Sequence, residues 1–224
     1  MPPVRMDFWY RSGWCFFRAV FAVYFRWRVF NARRVPQEGA VILAANHASF
    51  IDPLLVGAGL SRTVIMLARK SLFRFPGFGR LLRLWHAVPV DPDAASATGL
   101  KTILNRLQAG NAVLVFPEGS RSYDGRLQRG RAGLGLIVIK SAAAVVPVRI
   151  WGTHEAYGRR ALIPRPKRVI VKYGRPMLFQ ELREEAARSS RPRVKEICQE
   201  VVDQVMAEIA SMEPVRDMDQ DDLG

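Results

Sequence analysis

Apolar positions recur along this chain with helical and strand periods in turn. The first patterned stretch, residues 8–30, reads FWYRSGWCFFRAVFAVYFRWRVF, with Arg11, Arg18, Arg26 and Arg28 breaking an aromatic run. A bilayer crossing takes about 20 residues, so length alone would permit one. A centrally placed Arg, however, costs roughly 3 kcal/mol on insertion. Interleaved aromatics and arginines predict a helix lying in the headgroup zone, rings in and guanidinium groups out. Packing against a protein core is the alternative reading, and the lack of a small-residue cleavage site argues against a secretory signal.

After a turn over 36–39, residues 40–45 form a short apolar run branched at Val41 and Ile42, which predicts a buried strand. Asp52-Pro53 then marks a helix start, with Asp as N-cap and Pro at the first helical position. Further strands are predicted over 63–68, 87–90, 112–116, 145–150 and 168–173. Helices are predicted over 94–109, 133–143 and 193–212. The last of these carries Val194, Ile197, Val201, Val205 and Ile209 on one face. Strands separated by helices, without an internal repeat, predict one α/β domain whose mixed, largely parallel sheet is flanked by helices. The expected organisation is an N-terminal interface helix over 1–30, the α/β domain over 31–212 and an acidic, disordered tail over 213–224.

Charge sharpens this picture. Of 224 residues, 34 are Lys or Arg and 20 are Asp or Glu, for a net charge of +14. The tail holds five of the acids and one base, leaving 33 bases against 15 acids and +18 on the body. A body so basic attracts nucleic acid, an anionic bilayer or phosphorylated small molecules, and charge alone does not choose. Cys15 and Cys198 stand far apart and read as reduced thiols. His47, His86 and His154 do not cluster with Cys or carboxylates at zinc spacing, so no metal site is expected.

Two segments carry candidate chemistry. In Asn46-His47-Ala48-Ser49-Phe50-Ile51-Asp52, a His and an Asp share one loop at the carboxyl end of a predicted strand, where ligands bind in open α/β sheets. The carboxylate can fix the imidazole tautomer and leave the other nitrogen as a general base. The second segment, Phe116-Pro117-Glu118-Gly119-Ser120-Arg121-Ser122, follows directly on a strand. Gly119 would let backbone approach a ligand, Arg121 suits bidentate phosphate binding, and Glu118 can accept hydrogen bonds from ligand hydroxyls. Taken singly, each segment also reads as a structural loop.

Together they resemble the glycerolipid acyltransferase family, which includes lysophosphatidic acid acyltransferases. The family's Asn-His, four residues, Asp motif is matched at Asn46, His47 and Asp52, and its Phe-Pro-Glu-Gly-Ser/Thr-Arg-Ser motif from Phe116 to Ser122. Residues 70–79 (KSLFRFPGFG) and 145–148 (VVPV) resemble its two softer motifs, and the resemblance runs from about 31 to 177. It implies that His47 is the general base and Asp52 its orienting partner. It places Glu118, Gly119, Ser120 and Arg121 in the acceptor site, with Lys70 as a further phosphate contact and Arg129-Gly130 as a basic-Gly element. The implied partners are a membrane surface on the cytoplasmic side, a lysophospholipid acceptor, and acyl-CoA or acyl carrier protein as donor; no cofactor and no nucleic acid is implied. One departure stands out: an Arg usually follows the motif around residues 88–91, and here the next residue is Pro92. One phosphate-binding cation is therefore missing unless Arg69, Lys70 or Arg83 substitutes, and another lysophospholipid or a lyso-aminolipid is the alternative acceptor. A serine hydrolase using Ser49 or Ser120 is a further rival, although no Gly-x-Ser-x-Gly elbow exists. His86 reads as a packing residue, and His154 as a packing residue or a site-lining one.

Overall fold

The computed structural model of the chain describes residues 3–4, 6–90 and 97–214. In its first half it contains α1 (Phe8–Tyr24), β1 (Arg28–Phe30), β2 (Val41–Ala45), α2 (Asp52–Ala58), β3 (Val64–Ile65), β4 (Leu67–Arg69), α3 (Pro76–Leu84) and β5 (Val88–Val90). There follow α4 (Ala97–Gln108), β6 (Ala112–Val115), α5 (Gly133–Ile139), β7 (Ala144–Trp151), α6 (Thr153–Tyr157), β8 (Ile170–Tyr173), α7 (Gln180–Arg188) and α8 (Arg191–Ser211). The main sheet has the order β1-β8-β7-β2-β6-β3. All its pairings are parallel except β7 with β8. This is the mixed, largely parallel sheet that the alternation of strands and helices predicts.

β2 lies at the centre, paired on both edges, and every one of its five residues is buried. Its run VILAA is continuous rather than alternating because helices cover both faces. Val41, Leu43 and Ala45 join the core beneath α1 and α2, while Ile42 and Ala44 join the core beneath α4, α5 and α8. Ile197, Val201, Val205 and Ile209 form the buried stripe of α8, as their spacing predicts, each 0% exposed. Full burial of such a side chain is worth about 1.5–3 kcal/mol, so this stripe is a principal clamp on the sheet.

α1 docks one side on the protein core and leaves the other exposed. Tyr10 and Phe21 are buried, Phe17 packs edge-on against Trp85 at 4.8 Å, and Trp14 Nε1 donates to Leu60 O at 2.8 Å. On the outer side Phe8, Trp9, Phe16 and Val23 are 74%, 64%, 62% and 82% exposed. The helix is thus apolar on both sides, one docked and one bare. It ends at Tyr24, because Arg26 takes a left-handed conformation (φ 46°) and turns the chain into β1 at the sheet edge. No helix among the described residues is long and apolar enough to cross a membrane.

Elsewhere the structure departs from simple periodicity. The strand predicted over 63–68 is split: β3 stays in the main sheet and β4 leaves it to pair with β5. α7 has only Ala186 buried, so its sequence QELREEAAR holds almost no apolar period to read. Residues 91–96, including Asp91 and Pro92, and the acidic tail from 215 onward lie outside the described residues.

Candidate active site

The site begins where β2 stops. Asn46 is buried, and its side-chain amide donates to Ile150 O at 3.0 Å while its Oδ1 accepts from Ile150 N at 2.7 Å. The side chain thereby adds one rung to the β2–β7 ladder after the backbone has left it. The next residue, His47, consequently departs from a fixed point.

Asp52 does not cap its own helix, as the sequence suggests. It is the first residue of α2, after Ile51 as cap, and its carboxylate turns back toward the preceding loop. Oδ2 accepts from Ala48 N and Ser49 N, both at 2.7 Å, and lies 2.9 Å from His47 Nδ1. A carboxylate oxygen taking three donors puts the imidazole proton on Nδ1, which leaves the Nε2 lone pair free to accept one. The imidazole side chain is 17% exposed and the carboxylate 0%, so a ligand can reach the first and not the second.

The Phe116–Ser122 turn closes over the same loop. The Phe116 ring stacks on the imidazole with centroids 3.8 Å apart and planes 14° from parallel. Glu118 Oε1 accepts from His47 N at 3.2 Å, and Ser122 N donates to His47 O at 2.7 Å. His47 is therefore gripped at its ring, its N–H and its carbonyl by the second segment. The two segments meet at His47.

Within that turn the side chains divide. Glu118 is 2% exposed, and burial pushes its carboxyl up to about 7. The Asp52 charge adds to the rise, while the N–H groups of His47 and Gln128 and the Arg149 guanidinium oppose it. With Oε1 engaged on the His47 backbone, this carboxyl braces the base from below rather than standing open to ligand hydroxyls. Gly119 takes φ 73°, and the Arg131 side chain lies where a Cβ would project. Ser120 is half-buried beside it. Arg121 stacks over Phe50, its Cζ 3.3 Å from the ring centroid, and its buried NH1 has no partner. Burial lowers the Arg121 pKa, and repulsion from Arg159 and Arg69 lowers it further. Three guanidinium groups thus crowd one edge of the site, and among the described residues none of them forms an ion pair with a carboxylate.

Arg69 is one of the cations that the sequence offered as a substitute. Lys70 is exposed at the start of the 3-10 turn Lys70–Arg74. Arg159 and Arg149 are absent from the sequence reading. Arg159 sits in a basic run that resembles an ordinary solvated loop, whereas Arg149 stands alone inside the apolar strand β7, a signal that was there to read. Its Nε and NH1 are buried without partners, and burial lowers its pKa.

Other residues take structural parts. Ser49 is 0% exposed and its Oγ donates to Tyr157 O at 2.5 Å, so it faces away from His47 and does not suit a nucleophile. His154 packs over Gly125, and its Nε2 donates to Tyr123 O at 3.2 Å, steadying the loop beyond Arg121. His86 stacks on Tyr10 at 5.6 Å. Gly130 is pressed against Val202 and Met206 of α8, leaving no room for a side chain.

An Asp-anchored His at the carboxyl edge of the sheet is roofed by an arginine-bearing turn, and both segments fall inside a family match. The family model for acyltransferases matches residues 26–151, more than half of the chain, and the chain belongs to that family. It is 31% identical over 147 residues to a 1-acyl-sn-glycerol-3-phosphate acyltransferase of Cocos nucifera, covering 64% of this chain and 48% of that one. A protein of the same description from Bacillus subtilis is 32% identical over 105 residues, 46% of this chain and 53% of the other. The chain thus spans about half the length of the curated relatives it matches. The crystal structure of the 1-acyl-sn-glycerophosphate (LPA) acyltransferase PlsC from Thermotoga maritima shares the fold, with a TM-score of 0.71 at 24% identity, over 91% of this chain and 80% of that one.

Proposed function

We propose that this chain moves a fatty acyl group from acyl-CoA or acyl carrier protein to the free hydroxyl of 1-acylglycerol-3-phosphate, giving phosphatidic acid. The observation that carries the reading is the Asp52-anchored imidazole lying beside three crowded guanidinium groups. The acceptor hydroxyl attacks the thioester carbonyl as His47 Nε2 takes its proton. Asp52 stabilises the imidazolium so formed. When the tetrahedral intermediate collapses, the C–S bond breaks and the departing sulfur receives that proton. No protein nucleophile is needed, because the thioester is already activated and the work is one of alignment.

The relatives' names supply the acceptor class, and the arginines support it. Arg69 and Arg159 each repel Arg121, and a dianionic phosphomonoester would relieve that repulsion through charge-assisted hydrogen bonds. Arg69 and Arg159 also supply cations where the motif around residues 88–91 lacks its Arg, which favours lysophosphatidic acid over a lyso-aminolipid or another lysophospholipid. The bare side of α1, with Phe8, Trp9, Phe16 and Val23, suits a helix resting in the membrane interface. The enzyme is then peripheral, on the cytoplasmic face where its donors are made.

The test is an acceptor-by-donor panel with purified protein. Transfer to 1-acylglycerol-3-phosphate should exceed transfer to the corresponding phosphocholine lysolipid, and His47→Ala should abolish it with an unchanged melting curve. Turnover that persists in His47→Ala, or a preference for the phosphocholine acceptor, would refute the reading.

A further inference from the structure

Between α6 and β8 runs the segment 159–168, RRALIPRPKR. It holds five cations and no acid, and at its tip Leu162 and Ile163 are 93% and 76% exposed. Arg159, Arg160, Arg165, Lys167 and Arg168 are all exposed, and none forms an ion pair among the described residues. A single bare apolar side chain is ordinary on a protein surface. Two large neighbours, presented together and ringed by cations, are not.

The loop is held in place by hydrogen bonds. Tyr24 Oη, at the last residue of α1, donates to Pro164 O at 2.8 Å, and Arg165 N donates to Ala156 O at 2.7 Å. At its start an antiparallel bridge joins Gly158 to Ser49 on the catalytic loop. The tip therefore sits beside the end of α1, and its first cation, Arg159, reaches the Arg121 carbonyl at the rim of the site.

We propose that 159–168 is a second membrane-insertion element, selective for anionic lipid, that works together with α1. Leu162 and Ile163 enter the boundary between headgroups and acyl chains, and the flanking cations meet lipid phosphates. Nucleic acid is disfavoured, because the loop carries no aromatic side chain on which bases could stack. A loop so placed brings the acceptor's own surface to Arg159 and Arg121. The inference rests on reading α1 as a bilayer-facing helix.

The experiment is cosedimentation of the full chain with phosphatidylcholine vesicles, with and without phosphatidylglycerol. Leu162→Ser with Ile163→Ser should lower binding to both by about ten-fold or more. Arg165→Gln with Lys167→Gln should lower binding only to the anionic vesicles, by about five-fold per charge removed. Melting curves and turnover of a water-soluble, short-chain acceptor should match the parent for both variants. Phe16→Ser with Val23→Ser separates the two readings. If that pair loses binding while the loop variants keep it, the loop proposal fails alone; if the parent chain binds no vesicle, the α1 reading fails with it. Loss of binding to a soluble acidic carrier protein, with vesicle binding intact, would also overturn the proposal.

Discussion

Glu118→Gln tests the brace beneath the catalytic loop. The substitution keeps an oxygen for the His47 N–H and replaces the ionisable O–H with a neutral NH2. In the folded chain, burial raises the carboxyl from 4.5 to about 7. The folded state therefore holds this proton more tightly than the unfolded chain does. Stability from this group is present below pH about 4.5, falls as pH rises toward about 7, and is flat above that. At about 1.4 kcal/mol per pH unit, carrying the ionised group at pH about 8 costs on the order of 3 kcal/mol. Glutamine never ionises and escapes that cost. For a chain of this size 1 kcal/mol is about 2–4 °C in Tm, so the variant should melt about 6–12 °C above the parent near pH 8. Near pH 4 folded and unfolded parent are both mostly protonated at this position, and the two curves should nearly coincide. Paired thermal melts across that range measure the gap and cancel every other titrating group. A gap that stays constant with pH, or a variant less stable than the parent at high pH, would refute the argument that burial dominates at Glu118.

Three further substitutions probe the proposed site. Asp52→Asn places one acceptor and one donor where Oδ2 now takes three donors. It should cut kcat by roughly 10³–10⁴ with acceptor KM little changed, and a kcat within ten-fold of the parent would exclude an orienting role. Arg159→Gln and Arg69→Gln should each raise the KM for a phosphomonoester acceptor by about ten-fold or more while sparing kcat. Unchanged KM values in both would remove these arginines from the acceptor site.

The parts of this protein that were legible in the sequence are those set by local pattern. Val41–Ala45 reads as a buried strand because helices cover both its faces, and the α8 stripe reads as a helix because its burial is periodic. The pairing of His47 with Asp52 is visible because both belong to one short loop. What escaped depends on residues far apart in the chain. Asp-Pro at a helix start is an ordinary capping signal, and only the three donors converging on Oδ2 show that the carboxylate faces backward. Arg159 lies 38 residues beyond Arg121, and a pattern reading has no means of bringing the two together. α1 appeared to require a choice between core and interface, whereas the helix packs one apolar side on the core and leaves a second apolar side bare.

The His47–Asp52 pair and the cation cluster have different architectural origins. Imidazole, carboxylate and the two N–H groups that hold it come from a single six-residue stretch, so the pair is nearly self-contained. The guanidinium groups arrive from three separate places, Arg69 at the end of β4 and Arg121 and Arg159 on the loops that follow β6 and α6. Such an arrangement lets the choice of lipid headgroup drift by exchanging loop residues while the base stays untouched. It also means that gentle heating or mild denaturant, which loosens loops first, should blunt discrimination between acceptors before it slows transfer.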